Sequence, residues 1–267
     1  MVFPADDFLA RDLAAAAGER LLKLRGSGLP ADELRRAGDL SSQEFLAGQL
    51  ARQRSDDAVL SEEAADDPAR LRAERVWIVD PLDGTREFGE PGRVDWAVHV
   101  ALWERGELTA GAVALPAQGI VLCTAQPLAA PSHGSSPTPG APGAPLRLVV
   151  SRSRPPEFVQ RLAAELGAEL VPLGSAGAKA AAVITGEVDA YVHSGGMYEW
   201  DSAAPVAVAR AAGLHTSRID GSKLHYNSDQ PWMPDILICP VPLAHQLLEA
   251  IKTVRAFRST PDDSATL

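Results

Sequence analysis

The N-terminal part of the chain alternates apolar and polar side chains with the period of an α-helix. The apolar side chains that recur at this spacing are Leu9, Leu13, Ala16, Ala17, Leu21 and Leu24. They predict an amphipathic helix over residues 6–25, which the Gly- and Pro-containing segment 26–30 ends. A second helix is predicted over residues 41–53, because its apolar residues share one face.

The pattern changes to that of β-strands after the second helix. Residues 76–79 form a short apolar run, and two longer β-rich runs follow over residues 94–103 and 108–115. The residues between these runs, Glu104-Arg105-Gly106-Glu107, predict a hairpin turn. Residues 119–124 predict a further strand of the same sheet.

The segment 127–145 contains six prolines together with glycine and serine, so it is predicted to lack regular structure. It is either an exposed loop or a linker between domains. Strands are then predicted at residues 146–150, 169–172, 189–192 and 236–239, and helices at 157–166, 176–185, 203–212 and 244–254. This alternation predicts helices packed on a sheet. We expect an α+β domain over residues 1–145, an α/β domain over 146–267, and a frayed tail from Arg258.

Composition and charge narrow the function classes. With 46% apolar and 22% charged residues, the 267-residue chain resembles a soluble globular protein. Its net charge of −10 argues against nucleic-acid binding and against an anionic membrane surface, and an anionic substrate would need added cations. The chain has no apolar run of 18 residues and no secretory signal pattern, so a cytoplasmic location is expected. Cys123 and Cys239 are expected to be buried free thiols.

Candidate chemistry begins with the stretch VWIVDPLDGT, residues 76–85, in which an apolar strand ends on Asp80 and Asp83. Pro81 removes a backbone donor and Gly84 permits a tight turn, so both carboxylates are expected to project from one turn. For this pair alone, a solvated turn at the end of a strand is the alternative.

Two further segments place acids at the ends of elements. Glu62 and Glu63 follow a short apolar run, and Asp201 begins a helical pattern that contains Pro205 in its expected first turn. Taken singly, the two glutamates fit a solvated loop and Asp201 fits an N-terminal helix cap.

Three stretches in this order carry a family resemblance: LSEE (60–63), WIVDPLDGTREF (77–88) and WDSAAPVAVARAAG (200–213). Together they resemble the inositol monophosphatase superfamily of lithium-sensitive, magnesium-dependent phosphatases, and within it the CysQ-type 3′(2′),5′-bisphosphate nucleotidases. The similarity extends from the first helix to about Pro240. It implies a layered α/β fold, a five-layered αβαβα sandwich with the active site between its halves, and it favours a homodimer.

The resemblance also implies that the acids converge on one magnesium cluster. Glu62, Asp80 and the Leu82 carbonyl would hold one Mg²⁺, and Asp80, Asp83 and Asp201 would hold a second. Two unit charges about 4 Å apart interact by roughly 4 kcal/mol at an effective dielectric near 20, so four converging carboxylates require cations. A ligand set made only of oxygen atoms selects hard ions such as Mg²⁺.

The expected reaction is the attack of a metal-activated water on the phosphorus of a phosphate monoester. Glu62 and Thr85 would orient this water, and the backbone amides of Gly84 and Thr85 are expected to bind a phosphate oxygen. Asp39 resembles the acid that helps to position the water or a third Mg²⁺. However, Arg36-Ala37-Gly38-Asp39 departs from the Thr-x-x-Asp of the family, so a cap of the second helix is an equal alternative.

Substrate contacts are expected from turns that resemble those of the nucleotidase branch. The residues are Leu82, Asp83, Gly84, Thr85, Arg86, Ser151, Arg152, Gly174, Ser175, Lys179 and Asp201. For the basic residues, a solvated surface charge is the alternative. The expected substrate is 3′-phosphoadenosine 5′-phosphate (PAP), a by-product of sulfate activation, which would be converted to AMP. Inositol phosphate or fructose 1,6-bisphosphate is the second expectation, and a catalytically weak, metal-dependent regulator or binder is the third.

Overall fold

The computed structural model describes residues 5–129, 145–153 and 155–256. The helices in these residues are α1 (Asp6–Arg25), α2 (Ala31–Gln53), α3 (Thr85–Gly89), α4 (Glu157–Leu166), α5 (Ala176–Ile184), α6 (Glu199–Ala211) and α7 (Val241–Ala256). The strands are β1 (Ala58–Ser61), β2 (Arg75–Asp83), β3 (Ala97–Glu104), β4 (Glu107–Leu115), β5 (Ile120–Cys123), β6 (Arg147–Ser151), β7 (Glu169–Leu173), β8 (Ala190–Tyr198), β9 (His215–Ser217) and β10 (Trp232–Cys239). Most of the predicted proline-rich segment and the predicted tail lie outside the described residues.

The first sheet is built around the predicted hairpin. Its strands lie in the order β1-β2-β3-β4-β5, with β1 parallel to β2 and the other neighbours antiparallel. The turn between β3 and β4 contains Arg105 and Gly106, whose φ angles are 47° and 99°. Two successive residues with positive φ match the right-handed twist of the flanking strands. The predicted hairpin is therefore confirmed, as is the strand predicted at residues 119–124, which corresponds to β5.

The second sheet has the order β7-β6-β8-β10-β9. Strand β6 is parallel to β7 and β8, whereas β10 is antiparallel to β8 and β9. The strands and helices predicted to alternate after residue 145 are all present, and α4 has the predicted bounds. Strand β9 was not predicted, because its three residues are too few to show a strand pattern.

The helices complete five layers. Helices α1 and α2 cover one face of the first sheet, α5 and α6 lie between the two sheets, and α4 and α7 cover the outer face of the second. The predicted αβαβα sandwich is thus confirmed. The division into domains at residue 145 stays a prediction. None of the described helices is both long enough and apolar enough to span a membrane. Cys123 and Cys239 are buried free thiols, as predicted.

Small side chains bring the central helices close to the first sheet. Helix α5 has the sequence AGAKAAAVI and is buried along its whole length. Where α6 crosses β4, a Cβ atom on Gly111 would lie 2.6 Å from the Cβ of Ala207, so only glycine fits at this position. This close packing places the first turns of both helices beside the end of β2.

Three element boundaries differ from prediction in ways that matter for the site. Helix α2 begins at Ala31 rather than at residue 41. The sequence did not predict its polar first half, because this half buries only Leu34 and Gly38 and therefore lacks an apolar stripe. Helix α6 begins at Glu199 rather than residue 203, so Pro205 lies in its second turn and not in its first.

The third difference concerns strand β2, which was predicted over residues 76–79 but does not end before Asp80. It continues through Pro81 to Asp83, with a shift in its register to β3 between the two aspartates. The missing N–H of Pro81 is accommodated by this irregularity, which is where prolines occur within sheets.

Candidate active site

The irregular end of β2 buries two aspartates instead of exposing them. Asp80 is only 1% exposed and Asp83 is 7% exposed, so the solvated-turn alternative is wrong. The Asp80 carboxylate accepts the N–H of Leu82 at 3.0 Å, which tightens the turn. Gly84 then adopts a φ of 84°, and a Cβ atom there would lie 2.9 Å from the Cβ of Ser175. Gly84 therefore satisfies both a left-handed backbone and a close approach to the start of α5.

Helix α6 brings a third carboxylate to the same point. Asp80, Asp83 and Asp201 each present an oxygen atom, and these three atoms lie within 4.8 Å of one another. Asp201 also accepts the backbone N–H of Tyr198 at 2.6 Å, so it caps α6 while it belongs to the cluster. Asp201 therefore takes part in capping α6 and also belongs to the acidic cluster, and its role as a metal ligand stays a prediction.

Strand β1 delivers the fourth acid. Because β1 pairs in parallel with β2, Glu62 follows it beside the end of β2, and its backbone N–H reaches the Val79 carbonyl at 3.4 Å. Its side chain is in hydrogen-bonding contact with Asp80. Glu62 and Glu63 are exposed, as a loop position predicts, yet Glu62 reaches the buried cluster.

Burial and mutual repulsion raise the pKa values of three acids in this cluster. Removal from water and the neighbouring Asp83 and Glu62 carboxylates raise the pKa of Asp80 well above its ordinary value. Loss of water contact and the charge of Asp201 raise the pKa of Glu62 to about 7. Loss of water contact and the charge of Asp83 raise the pKa of Asp201 to about 6. Either protons or cations are needed to neutralise these groups.

The pKa of Asp83 is lowered rather than raised, because hydrogen-bond donors and positive charges surround its carboxylate. Burial alone would raise the pKa of Asp83, but the charge and contact of His99 and the charge of Lys179 hold it below its usual range. The N–H groups of Ala176 and Gly177, at the start of α5, bind its two oxygens at 3.2 and 2.6 Å.

The cluster has the chemistry of a site for a hard cation. Its ligand atoms are carboxylate oxygens, which Mg²⁺ prefers, and no cysteine lies in the acidic group found in the described residues. Three of the four acids carry raised pKa values, as expected of ligands whose charge a cation would balance. The residues therefore fit a divalent metal ion.

Thr85 links this cluster to α2. Its hydroxyl lies 3.0 Å from the Leu82 carbonyl oxygen and 3.3 Å from a carboxylate oxygen of Asp39. Burial and the charge of Glu63 raise the pKa of Asp39 to about 6, against the opposing hydrogen bond from Thr85. Because Asp39 lies inside α2, whose cap position is Pro30, the alternative in which Asp39 caps this helix is wrong.

A cleft of about 320 Å³ opens beside the acids. It is lined by Asp83, Gly84, Thr85, Arg86, Glu87, Ser151, Ser153, Gly174, Ser175, Ala176, Lys179, Tyr191, His193, Gly196, Met197 and Asp201. Nearly all the substrate-contacting residues predicted from sequence thus share one cleft. Leu82 is buried behind it, and Arg152 lies at its edge, bound to the lining residue Glu87.

Lys179 is not a solvated surface charge. Its side chain is buried, and its ammonium donates to the carbonyl oxygens of Gly174 and Ser175 at 2.5 and 2.9 Å. Burial lowers the pKa of Lys179, against the charges of Asp83 and Asp201. The lysine holds the turn before α5, where the Ser175 hydroxyl accepts the N–H of Ala178 as a helix cap.

The two arginines at the cleft are paired with acids. Arg152 binds Glu87 at 2.7 Å and Glu90 at 3.0 Å, and Arg86 lies 3.3 Å from Glu90. A substrate phosphate would have to compete with these carboxylates for either arginine. Sequence reasoning did not assign Glu87 to the site, although it lies within the stretch 77–88 that carries the resemblance.

Two aromatic positions of the site were also missed. Tyr191 and His193 lie on β8 and line the cleft, and the His193 ring nitrogen Nε2 lies 2.9 Å from the Gly196 carbonyl oxygen. Alternate residues of a strand share one face, so a predicted strand that reached His193, and did not end at residue 192, would have paired them. Nothing in the sequence alone, however, indicated that this face borders the acids.

Comparisons with known proteins give a consistent result. Residues 8–254 match the model of the inositol monophosphatase family. A curated Mycobacterium leprae protein named 3′-phosphoadenosine 5′-phosphate phosphatase is 49% identical over 93% of this chain and 94% of its own length. A Salmonella typhimurium protein named 3′(2′),5′-bisphosphate nucleotidase CysQ is 28% identical over 83% of this chain and 94% of its own length. The crystal structure of CysQ from Bacteroides thetaiotaomicron superposes with a TM-score of 0.73, at 24% identity, over 88% of this chain and 97% of that one.

Proposed function

The chain belongs to the inositol monophosphatase family, and we propose that it is a Mg²⁺-dependent phosphatase that removes the 3′-phosphate of PAP and releases AMP and phosphate. The observation that carries the reaction type is the meeting of three carboxylates from β2 and α6 within 4.8 Å, at the wall of an open cleft. The observation that carries the substrate is the 49% identity to a relative named for this activity.

The acids provide two overlapping sets of metal ligands in this proposal. Glu62, Asp80 and the Leu82 carbonyl form one set, and Asp80, Asp83 and Asp201 form the other. When bound, the divalent ions would lower the pKa of a water molecule and neutralise charge on the phosphate. Each oxygen of Asp83 accepts one backbone N–H, so the orientation of this carboxylate is fixed before any ion arrives.

Thr85 and Asp39 would accept the proton of the attacking water, with Thr85 passing it to Asp39. The Thr85 hydroxyl lies between the Leu82 carbonyl and the Asp39 carboxylate, so it can donate to Asp39 while its oxygen accepts from water. The pKa of Asp39, raised to about 6, suits a group that accepts a proton near neutral pH. Glu62 would also orient the water.

The turns around the cleft would position the substrate. Gly84 and Thr85 begin α3, and Gly174 and Ser175 precede α5, so backbone amides are available near the phosphate. Beyond His193, the cleft continues into a groove of about 510 Å³ along Gly195 and Gly196. This groove offers room for the nucleoside part of PAP.

The proposal is tested by comparing specificity constants for PAP, inositol 1-phosphate and fructose 1,6-bisphosphate, with phosphate release measured with and without Mg²⁺. We expect PAP to be preferred, the reaction to require Mg²⁺, and Li⁺ to inhibit it. Asp83→Asn is expected to abolish turnover, which also separates an enzyme from a catalytically weak binder. A preference for inositol 1-phosphate would reassign the substrate, and wild-type turnover by Asp83→Asn would contradict the mechanism.

Three broader expectations belong to the same proposal. A role in clearing the by-product of sulfate activation follows if PAP is the substrate. The cytoplasmic location and the homodimer stay predictions; light scattering of the purified protein tests the homodimer directly.

A further inference from the structure

One buried histidine of the first sheet touches the acidic cluster from behind. His99 lies on β3 and is 0% exposed. Its ring nitrogen Nε2 lies 3.1 Å from Oδ2 of Asp83, and its Nδ1 lies 3.1 Å from the carbonyl oxygen of Trp200. A flipped ring would turn carbon atoms toward both oxygens, so these two neighbours define the orientation of the ring.

The ring connects three elements that build the site. Asp83 ends β2, Trp200 precedes Asp201 in α6, and Gly177 lies in the first turn of α5. A Cβ atom on Gly177 would lie 2.2 Å from Nε2 of His99, and the Gly177 N–H donates to Asp83 Oδ2 at 2.6 Å. The space for the imidazole therefore exists only because residue 177 has no side chain.

The contacts to Asp83 are distributed unequally between its oxygens. Oδ2 is approached by the Gly177 N–H and by His99, whereas Oδ1 receives the Ala176 N–H at the longer distance of 3.2 Å. The His99 contact is a close ion-pair approach without hydrogen-bond geometry, so it crowds Oδ2, which also accepts the Gly177 N–H, and leaves Oδ1 as the less crowded oxygen. Asp83 would therefore offer Oδ1 to a cation.

We propose that His99 is a positioning residue of the metal site, which holds Asp83 by Oδ2 and the start of α6 by the Trp200 carbonyl. It thereby fixes Asp83 relative to Asp201 before a cation binds. This inference rests on the proposed function, because it requires that these acids bind a divalent ion. Residues that orient metal ligands typically change metal affinity by about 10- to 100-fold when they are replaced.

The alternative is that His99 only fills space in the core. The two roles differ in what they predict for substrate-free protein. A space-filling ring can be replaced by another ring without changing metal affinity, whereas a positioning ring cannot. His99→Phe keeps a ring of similar size and removes both nitrogen atoms, and His99→Gln keeps a polar group.

The test is the dissociation constant of Mn²⁺, measured by electron paramagnetic resonance on the full-length chain without substrate. His99→Phe is expected to weaken Mn²⁺ binding at least about 10-fold, and His99→Gln is expected to recover part of the loss. The matched control is His215→Phe, since His215 is half-buried on β9 and contacts Ser217 at 2.9 Å. Its Mn²⁺ affinity is expected to stay within about twofold of wild type.

The outcomes separate the inference from the proposed function. Mn²⁺ binding that does not weaken in Asp83→Asn would contradict the metal site itself. Binding that requires Asp83 but stays within twofold in His99→Phe would contradict the role of His99 alone. If His99→Phe does not fold, as judged by circular dichroism, His99→Gln decides, and an affinity equal to that of His215→Phe overturns the inference.

Discussion

Two buried polar clusters meet at the first turn of α6, and they are built in opposite ways. In the first, Arg70 is 1% exposed and binds Asp66, the Asn227 side chain and the Ser228 carbonyl at 2.6 to 2.9 Å. Glu199, which is fully buried beside it, accepts the backbone N–H groups of Asn227 and Ser228 at 2.7 and 2.9 Å. We call this set the Arg70 cluster.

The second cluster begins two residues later, at Asp201. Its acids Asp80, Asp201 and Glu62 have few donors, and burial together with repulsion raises the pKa of each of them. Burial also raises the pKa of Glu199 in the Arg70 cluster, but there two N–H donors oppose the rise. The difference indicates that a buried acid supplied with several donors has a structural role, whereas grouped acids with few donors indicate a binding site.

The largest expected effect separates the two clusters by activity. Asp201→Asn is expected to lower kcat/KM for Mg²⁺-dependent phosphate release by at least about 10³-fold, because metal charge stabilisation contributes several kcal/mol. The melting temperature of the metal-free protein should not fall, because the asparagine can still accept the Tyr198 N–H and one repelling charge is gone. Activity within tenfold of wild type would show that the carboxylate is not required.

The second effect separates them by stability. Arg70→Met leaves the Asn227 and Ser228 oxygens without their donor and is expected to cost about 3 kcal/mol in the free energy of unfolding. The control is Arg161→Met, whose partly exposed pair with Glu157 should contribute less than about 1 kcal/mol. Urea unfolding measures both. If Arg70→Met lost activity per folded molecule without losing stability, the two clusters would form one functional unit.

The third effect depends on pH and concerns the acids whose pKa values are raised. Because Glu62, Asp201 and Asp39 have folded-state pKa values of about 7, 6 and 6, above their ordinary values near 4, the folded state binds more protons than the unfolded state. Their contribution is complete below about pH 4 and is lost as pH rises through 6 to 7. The metal-free protein should therefore melt at a lower temperature at pH 8 than at pH 5.

Mg²⁺ should restore this lost thermal stability at high pH, where protons no longer compete with it for the carboxylates. At 100 times its dissociation constant, Mg²⁺ should add about 2.7 kcal/mol at pH 8, or roughly 5–10 °C in melting temperature, and less at pH 5. Calorimetry in matched KCl provides the control for ionic strength. An equal Mg²⁺ effect at both pH values would indicate that the ion binds elsewhere than at these acids.

The sequence predicted elements where side-chain periodicity and turn chemistry agreed. Helix α4 and the hairpin at Arg105 and Gly106 are examples, since an apolar stripe or a glycine marked each of them. The first half of α2 carried no such stripe. It is held by packing of the single Leu34 and by the close approach of Gly38 to Phe88, which only the folded structure reveals.

The acids of the site were recognisable because a motif grouped them, but their partners were not. Asp80 and Asp83 stand together in the chain, and Asp201 stands in a stretch with its own resemblance. His99 is the opposite case, since a lone histidine in an apolar strand has no sequence feature that distinguishes it from a core residue. Its position depends on Gly177 and Trp200, which lie about 80 and 100 positions away in the chain.

The contact between Gly111 and Ala207 has a consequence for how the protein can vary. Because α6 rests almost directly on the β4 backbone at this point, the pair acts as a spacer that sets how far Asp201 stands from the sheet carrying Asp80. A larger side chain at either position would tilt the helix and widen the gap between ligands. Natural variation and protein engineering should therefore find these two positions intolerant of bulk, although neither one is near enough to meet a substrate.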